Sequence, residues 1–402
     1  MVAAVVCRVY SVRSMIFRGK DPNTQKVVEC EVADGKIARL SASTTGKLGT
    51  QVVGGNDVYL APGFIDIQVN GFGGVDLESD TVTPEDVVKV METQWPYGVT
   101  QFLPTITTGS SERICRGLRA VADAVEKSSN ARAAIPGIHL EGPYFCPDEG
   151  PRGAHPLEHV RKPTWEEFRK FQEAARGMIT MVTLAPEIEG AIPFIERLAS
   201  EGIIPAIGHC NAKESDIDAA IKAGAKISTH LGNGSHNMLP RHANYLQMQL
   251  SRDELWASLI TDGHHLPPYF VKNAVRAKQV SRCILTTDAI SAAGAPPGRY
   301  RIGQIEVVVG PDKMVRHPVS ACLAGSAATL DDCITNVIRW AEISLAEGLA
   351  MATTHPAQLL GLKTHGLAVG KAANLVLFRW DDGGMKVTHT VLNGAVVFGK
   401  TR

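Results

Sequence analysis

Short apolar runs separated by stretches of helical periodicity dominate the chain between about residue 60 and residue 290. Most of these runs do not alternate with polar residues, a pattern typical of strands covered on both faces in a parallel sheet. The predicted strands are Phe64–Val69, Val99–Pro104, Ile135–Leu140, Ile179–Leu184, Ile204–Gly208, Lys226–His230, Ala257–Thr261 and Cys283–Thr287.

The segments between these strands carry helix start and stop signals. Thr83 is an N-cap residue with Pro84 at the first helical position, and Gly224 follows another helical pattern as a C-cap residue. The predicted helices are Pro84–Gln94, Glu112–Glu126, Thr164–Ala175, Ala191–Ser200, Glu214–Ala223 and Tyr269–Lys278, followed later by Leu330–Leu345 and Met351–Leu360. Eight strands with helical crossovers predict an α/β fold of the (β/α)8 TIM-barrel type, and a doubly wound open sheet is the alternative.

The two ends of the chain differ from this middle part and carry short alternating segments typical of hairpins. Asp34-Gly35 is a turn signal near the start, and Asn393-Gly394 is one near the end. We therefore expect residues 1–60 and 356–402 to form one small β-sandwich together, with the barrel at 61–355. The segments concerned are Lys26–Val32, Lys36–Leu40, Asn374–Arg379, Lys386–Leu392 and Ala395–Phe398.

Composition narrows the function classes. The 41 basic and 41 acidic residues give a net charge of zero, and no run of Lys and Arg occurs. Both observations argue against binding to nucleic acid, which requires a basic face. No apolar run approaches the roughly 18 residues needed to cross a bilayer, which argues against a membrane protein. Met1–Arg13 ends in basic residues, the wrong polarity for a signal peptide, and a cytoplasmic protein is the expectation.

The eight cysteines form no CxxC pair, and we interpret them as buried small residues rather than disulfides. Cys210 follows a candidate ligand, His209, but alternation along a strand would direct its thiol the other way.

Polar residues suited to metal binding or proton transfer follow several of the predicted strands. Glu141 follows the third strand and His209 the fifth. His230 ends the sixth strand and Asp288 follows the eighth. In a barrel these strand ends meet at one mouth, where catalytic residues are found. One carboxylate and two imidazoles are a donor set of catalytic zinc sites, and Asp288 beside them would serve as general base and later as general acid.

Each of these residues taken alone has a structural explanation, as a hydrogen-bonded histidine, a turn residue or a helix cap. Their coincidence at the ends of different strands favours a metal site. His155, His236, His242 and Arg241 fall on loops near the same mouth, where solvated and functional roles are both open. Asn70-Gly-Phe-Gly-Gly74 has no Lys-Ser/Thr after it and so is a poor phosphate loop, and no Gly-x-Ser-x-Gly elbow occurs.

From about residue 50 onward the chain resembles the amidohydrolase superfamily and, within it, the N-acetylglucosamine-6-phosphate deacetylases. The matching motifs are Ala61-Pro-Gly-Phe-Ile-Asp66, His139-Leu-Glu-Gly-Pro143, Arg152-Gly-Ala-His155-Pro, Gly208-His209, Thr229-His230-Leu-x-Asn233, Asp262-Gly-x-His265, Thr287-Asp288-Ala289, Ala324-Gly-Ser326, His355-Pro-Ala-Gln-Leu-Leu-Gly361 and Gly370-Lys-Ala-Ala-Asn-Leu375.

The resemblance implies a metal-dependent barrel with a small β-sandwich, and it implies a role for each matching residue. Glu141, His209 and His230 match the metal ligands, Asp288 the catalytic acid and base, and His155 a residue that polarises the substrate carbonyl. The residues that match contacts to the sugar phosphate or line the site are Asn233, Gly234, Arg241, His265 and Gln68. Part of the phosphate site comes from the second subunit of a homodimer in this family.

The residues at the end of the first predicted strand indicate how many metal ions the site binds. Many amidohydrolases carry His-x-His there, which binds a second ion, whereas this chain has Gln68-Val69-Asn70. Neither amide is a good zinc ligand, and no bridging lysine is evident at the end of strand four. We expect one divalent ion per subunit, with zinc as the first choice.

The sequence departs from the family after His230, where it has Asn233-Gly-Ser-His-Asn-Met238 and then Arg241-His-Ala-Asn244. This departure leaves the phosphate pocket and the identity of the sugar open, together with the roles of His236, His242 and His264.

The function implied is release of acetate from N-acetylglucosamine-6-phosphate to give glucosamine-6-phosphate, a step of amino-sugar metabolism. An alternative is a deacylase of N-acetylgalactosamine-6-phosphate, an unphosphorylated N-acetylhexosamine or an N-acyl amino acid. A non-catalytic scaffold that has lost its metal is the alternative outside this class, and the intact set of Glu141, His209, His230 and Asp288 argues against it.

Overall fold

The computed structural model of the chain describes residues 15–42, 51–316 and 323–400. The segment Met1–Arg13 and two cysteines, Cys7 and Cys322, lie outside the described residues, so their interpretations stay predictions. The other six cysteines are free thiols, as predicted, and all but the half-buried Cys115 are buried. Within the described ranges, no helix combines the length and apolar character that crossing a membrane requires.

The strands of the described residues are numbered in chain order. They are β1 (Met15–Lys20), β2 (Val27–Ala33), β3 (Lys36–Ala42), β4 (Gln51–Pro62), β5 (Phe64–Val69), β6 (Gly71–Phe72), β7 (Val75–Asp76), β8 (Val99–Thr107), β9 (Ile138–Glu141), β10 (Ile179–Leu184), β11 (Ile204–Ile207), β12 (Ile227–Ser228), β13 (Trp256–Leu259), β14 (Cys283–Leu285), β15 (Gly298–Ile302), β16 (Ile305–Val309), β17 (Val315–Arg316), β18 (Leu375–Asp381), β19 (Gly384–Leu392) and β20 (Ala395–Phe398).

The helices are numbered in the same way. They are α1 (Pro84–Gln94), α2 (Ser111–Lys127), α3 (Ser129–Ala134), α4 (Trp165–Ala174), α5 (Ala191–Ser200), α6 (Glu214–Ala223), α7 (Tyr245–Ser251), α8 (Pro268–Lys278), α9 (Leu330–Ala341), α10 (Leu345–Ala350) and α11 (Thr354–Leu359).

Eight parallel strands form the barrel, in the spatial order β5, β8, β9, β10, β11, β12, β13 and β14. The sheet closes where Val69, at the end of β5, pairs in parallel with Ala289, four residues beyond β14. The backbone amide of Asn70 donates to the Ala289 carbonyl across the same seam, at 2.7 Å. The predicted TIM-like barrel is confirmed, and the open sheet is ruled out because the first and last strands are joined.

Alternation along the strands separates two apolar cores. Leu103, Met181 and Ile284 belong to a cluster that fills the barrel interior. Their neighbours Phe102 and Val182 belong to the larger cluster between strands and helices. Because both faces of each strand are covered, the strands are nearly continuous apolar runs, and polar residues are concentrated where the strands end.

Strands from both chain ends form one seven-stranded sheet in the order β20, β19, β18, β4, β1, β2, β3. The two predicted turns adopt left-handed backbone at Asp34 and Asn393, with φ values of 51° and 46°. They pack against each other, since a Cβ added to Gly35 would lie 3.1 Å from the Asn393 carbonyl oxygen. The joint β-sandwich is confirmed, and the boundaries 1–60, 61–355 and 356–402 remain our proposal.

Several predicted elements differ in detail. The single helix expected over Leu330–Leu345 is two helices, α9 and α10, because Glu342 adopts left-handed backbone with φ 57° and ends the first. The helix expected over Met351–Leu360 is shortened to α11. The hydrophobic pattern does not predict α3, α7 and β15–β17. Strands β11, β12 and β14 end earlier than predicted because the polar residues after them turn out of the sheet.

Asp66 stabilises the seam of the barrel, which is the junction between β5 and the residues that follow β14. Its Oδ1 accepts a hydrogen bond from the Thr286 hydroxyl at 2.7 Å, and its Oδ2 accepts one from the Thr287 hydroxyl at 2.5 Å. The Thr287 amide adds a third bond at 3.2 Å. Asp66 is only 1 % exposed, so water cannot replace these partners. The carboxylate therefore links strand β5 directly to the residues that lead into Asp288.

We expect Asp66→Asn to lower the free energy of unfolding by about 3 kcal/mol, because its amide group cannot accept all of these bonds and one donor is left facing a donor. The measurement is the midpoint of urea unfolding followed by circular dichroism. Asp253→Asn, a change at an exposed carboxylate, is the control. Equal midpoints for the two variants would contradict the importance of the seam.

Candidate active site

A cavity of about 660 Å³ opens at the carboxyl ends of the barrel strands. Its walls combine residues that follow β5, β8, β9, β11, β12, β13 and β14 with residues of the β15–β16 turn. The candidate site residues among its lining are Glu141, His155, His209, His230, Asn233, Gly234, His265 and Asp288. The predicted convergence of the strand ends on one mouth is therefore observed for these eight residues.

Glu141, His209 and His230 form the tightest group. The Nε2 atoms of His209 and His230 lie 3.3 and 3.0 Å from Oε1 of Glu141, and 3.1 Å from each other. All three side chains are buried. Burial alone would raise the pKa of Glu141, but the two adjacent imidazoles of His209 and His230 hold it well below its ordinary value.

The donor set fits a divalent cation. Nδ1 of His209 lies 2.7 Å from the Pro151 carbonyl and must donate to it, so Nε2 of His209 carries a lone pair. That lone pair is directed at a carboxylate oxygen and at a second imidazole nitrogen, an arrangement that a cation between them would relieve. The residues present therefore suit a metal ion.

His155 contributes a further nitrogen beside this group. Its Nε2 lies 3.4 Å from Nε2 of His209, so Glu141, His155 and His209 form a second possible ligand triad. The ring packs edge-on against Phe145, with centroids 4.7 Å apart. Burial, followed by the nearby His209, lowers the pKa of His155 to about 3, which keeps the ring neutral near pH 7.

Asp288 lies beside the group and is held by two amides. Its Oδ1 accepts hydrogen bonds from Asn70 at 2.7 Å and from Gln68 at 3.0 Å. Gln68 also donates to Oε1 of Glu141, at 2.8 Å, and so bridges the two carboxylates. Burial, followed by the charge of Glu141, raises the pKa of Asp288 to about 7. The arrangement leaves Oδ2 of Asp288 with no such bond to the described residues.

Three of these residues have strained backbone. His209, His230 and Asp288 have φ values of 51°, 30° and 51°, in the left-handed region that non-glycine residues rarely adopt. Each is at or near the point where a barrel strand ends. Strain of this kind is concentrated at functional sites, where the surrounding structure holds it in place. The conformation turns these three side chains toward the cavity.

The predicted substrate-binding residues are partly brought together. Asn233, Gly234 and His265 line the cavity, and Nδ1 of His265 lies 2.8 Å from Asp262. A Cβ on Gly234 would lie 2.7 Å from Nδ1 of His209, so only glycine fits there. Gln68, predicted to contact the substrate, does not line the cavity, because its amide is directed at the two carboxylates.

Arg241 and the extra histidines lie elsewhere. Arg241 and His242 are exposed and do not line the cavity of their own chain. His236 is hydrogen-bonded to the Tyr245 hydroxyl, through its amide at 2.8 Å. Nε2 of His264 lies 2.9 Å from the Asp312 carbonyl. Within the described ranges, none of the four contributes to the cavity wall.

Sequence reasoning missed three parts of the cavity. Asn70, which we had considered only as a poor zinc ligand, positions Asp288. Glu78 and Arg113 also line the wall, although nothing in their sequence surroundings distinguishes them from surface charges. Ile302, the last residue of β15, and Gln304 in the turn after it line the wall as well, and the sequence pattern does not predict β15.

With this geometry, the fold and site define a metal-dependent hydrolase barrel, and comparison with known proteins assigns its class. The model of the Amidohydrolase family matches residues 59–397, which is most of the chain. The chain belongs to the amidohydrolase family.

Its relatives narrow this class to the predicted deacetylases. The chain is 32% identical to the N-acetylglucosamine-6-phosphate deacetylase of Bacillus subtilis over 91% of this chain and 92% of the relative. It is 31% identical to an N-acetylgalactosamine-6-phosphate deacetylase of Escherichia coli O157:H7, over 91% and 93%. The predicted resemblance is confirmed.

Solved structures agree with this assignment. A mutant N-acetylglucosamine-6-phosphate deacetylase of Mycobacterium smegmatis, in complex with N-acetylglucosamine-6-phosphate, matches with a TM-score of 0.86 and 26% identity. The match covers 96% of this chain and 99% of that one. The deacetylase of Thermotoga maritima matches with a TM-score of 0.81 and 28% identity, over 97% and 99%.

The two possible ligand triads lead to a prediction. We expect His230→Asn to weaken zinc binding at least tenfold, because Nε2 of His230 lies closer to Glu141 and His209 than His155 does to His209. We expect His155→Asn to change it by less than threefold. Metal content by mass spectrometry and competition with a chelator measure both effects. The opposite ranking would identify the triad that contains His155.

Proposed function

We propose that this protein deacetylates N-acetylglucosamine-6-phosphate, giving glucosamine-6-phosphate and acetate. The observation that carries the proposal is the juxtaposition, in one cavity, of Asp288 with the Glu141, His209 and His230 group. A carboxylate with a raised pKa beside a metal-suited donor set is the arrangement that amide hydrolysis needs. The names of the curated relatives support the choice of substrate.

We assign Glu141, His209 and His230 as the ligands of one divalent ion, with zinc as the proposed metal. The single ion is supported by Gln68 and Asn70, because they lack the imidazole nitrogens that bind a second ion in many amidohydrolases, and their amide nitrogens donate to carboxylates instead. When bound, such an ion acts as a Lewis acid that polarises the amide carbonyl and makes water more acidic.

The chain's own residues carry the protons. Asp288 accepts a proton from the attacking water through Oδ2, while Gln68 and Asn70 hold Oδ1 in place. His155, neutral at pH 7, hydrogen-bonds the carbonyl oxygen and stabilises the charge that develops there. Asp288 then delivers its proton to the leaving nitrogen as the C–N bond breaks, so that acetate and the amine form.

We assign the residues after β12 and β13 to the phosphate group of the substrate, at the end away from the acetyl group. Asn233 and Gly234 follow β12, and His265 follows β13, where Asp262 fixes the orientation of its ring. Amide groups and imidazoles are effective donors to phosphate oxygens. The neutral overall charge is compatible with this, because one phosphate requires only a few local donors.

We further propose a homodimer in which Arg241 serves the cavity of the partner subunit. Arg241 is exposed on the loop that leads to α7, and it does not line its own cavity. An exposed guanidinium is free to bind a phosphate across a subunit interface. The cytoplasm remains the proposed compartment, because the described cysteines are all free thiols.

The decisive experiment measures acetate release from N-acetylglucosamine-6-phosphate, its galacto epimer and unphosphorylated N-acetylglucosamine. We expect the wild type to prefer the first. Asp288→Asn should lower kcat by about 10²–10⁴-fold, because it removes the group that transfers the proton. Its metal content and urea midpoint should stay close to those of the wild type.

Asp331→Asn is the matched control, since Asp331 lies on α9 and does not line the cavity. Near-normal kcat in Asp288→Asn would contradict its assigned role. Preference for the galacto epimer or the unphosphorylated sugar would assign the chain to the alternative substrate instead.

Arg241→Ala tests the phosphate contact and the dimer together. We expect KM for the 6-phosphate sugar to rise about tenfold or more, while KM for the unphosphorylated sugar changes less than twofold, because only the former loses a charge-assisted bond. Arg119→Ala, at an exposed position of α2, is the control. An equal change in KM for both sugars would show that Arg241 does not contact the phosphate. A monomeric mass by light scattering would contradict a cavity shared between two subunits.

A further inference from the structure

One wall of the cavity takes part in the chemistry derived so far only through the amide nitrogen of Asn70, which holds Asp288. It lies where β5 and β8 end, and its polar residues are Asn70, Glu78, Thr107, Thr108 and Arg113. In the closed order of eight strands, β8 lies directly across the barrel from β12, which precedes Asn233. A substrate held at both places would span the metal-suited group.

Glu78 is fixed by Arg113. The guanidinium donates to Oε2 of Glu78 at 2.5 Å and to its backbone carbonyl at 3.0 Å. Both side chains are shielded, with exposures of 3 % for Glu78 and 12 % for Arg113. Oε1 of Glu78 is also buried and makes no hydrogen bond of ordinary geometry to the residues that the structure describes, although the Thr107 hydroxyl lies near the carboxylate. The ion pair therefore holds one oxygen in place and leaves the other available.

Two more polar atoms of this wall are in the same situation. Oγ1 of Thr108 is buried without a partner in the described ranges, as is Oδ1 of Asn70. Thr108 lies directly against the backbone after Glu141, since a Cβ added to Gly142 would be 2.4 Å from its Oγ1. Asn70 has already used its NH2 group on Asp288. The atoms of this wall that lack partners are thus two acceptor oxygens and one hydroxyl group.

The turn between β15 and β16 covers this wall. The Gly303 amide donates to Oδ2 of Asp76 at 2.7 Å. A Cβ on Gly303 would lie 1.9 Å from a guanidinium nitrogen of Arg113, so the turn rests directly on the ion pair. Glu78 is consequently enclosed between the barrel and the turn rather than exposed to solvent.

Buried polar atoms without partners cost about 1–3 kcal/mol each, and native structures tolerate few of them. Three such buried atoms at one cavity wall indicate that a bound ligand supplies their hydrogen-bond partner. Oε1 of Glu78 and Oδ1 of Asn70 accept hydrogen bonds, whereas the Thr108 hydroxyl both donates and accepts. A ligand hydroxyl fits this set, because it can donate to one of the two acceptors and accept the proton of the Thr108 hydroxyl.

We propose that Thr108, with Glu78 and Asn70, forms a subsite that binds a hydroxyl group of the substrate and so determines specificity. The hydroxyl comes either from the sugar ring or from an N-acyl group larger than acetyl, such as hydroxyacetyl. This inference rests on the proposed function, since it concerns the same substrate. It assigns the β5–β8 wall to recognition and leaves proton transfer to Asp288.

The test pairs enzyme variants with substrate analogues. Thr108→Val and Glu78→Gln are measured against N-acetylglucosamine-6-phosphate, its singly deoxygenated ring analogues and its N-hydroxyacetyl analogue. Thr180→Val is the matched control, because the Thr180 hydroxyl is also buried without a partner in the described chain but lies on β10, away from the cavity. The readouts are kcat/KM and, on an Asp288→Asn background, Kd by titration calorimetry.

For a ring hydroxyl, Thr108→Val should lower kcat/KM about threefold to tenfold on the full sugar and by less than twofold on the one analogue that lacks that hydroxyl. For an acyl hydroxyl, the wild type should prefer the hydroxyacetyl substrate, and Thr108→Val should lose that preference. Glu78→Gln should follow the same pattern, and Thr180→Val should show neither effect.

A uniform fall on every substrate, or no change at all, would overturn the subsite. Failure of the proposed function is distinguishable from this result. If the wild type releases no acetate but the sugars bind, the calorimetric Kd values still decide whether Thr108 senses one hydroxyl. If none of the sugars binds, both proposals are refuted.

Discussion

The site depends on the seam that joins the first and last strands of the barrel. Asp66 accepts hydrogen bonds from the side chains of Thr286 and Thr287, and Val69 pairs with Ala289 on the other side of Asp288. These links place Asp288 opposite the end of β5. Gln68 and Asn70 can reach Asp288 only because the seam is closed, and Gln68 connects it to Glu141. A structural constraint of the fold thus sets the distance between the proposed base and the metal-suited group.

Much of this arrangement could be predicted from the sequence, and the reason is physical. Strands covered on both faces must be apolar throughout, so Phe64–Val69 and Ile179–Leu184 were recognised with their observed bounds. Polar residues directly after such runs have to lie at the mouth, which identified Glu141 and Asp288 before any geometry was known. The resemblance then supplied individual roles, and the matched family confirms its general assignment.

Other features depend on contacts between distant parts of the chain. Glu78 and Arg113 are ordinary charges in sequence, and only the packing of the β15–β16 turn on them makes them part of the cavity. The end of α9 at Glu342 required a left-handed residue that is not glycine, which no propensity indicates. Arg241 is exposed and does not line the cavity of its own chain, and the strand pattern gave no indication of that position.

The cavity is therefore asymmetric about the Glu141 group. On the β12–β13 side, Asn233 and the Asp262-oriented His265 offer hydrogen-bond donors, which suit an anion. On the β5–β8 side, the free atoms of Asn70 and Glu78 are acceptors, which suit a hydroxyl. An elongated substrate with a phosphate at one end and hydroxyls elsewhere can satisfy both sides in only one direction. That direction would determine which of its bonds is presented to Asp288, so that recognition at the two walls and selection of the reacting amide follow from the same geometry.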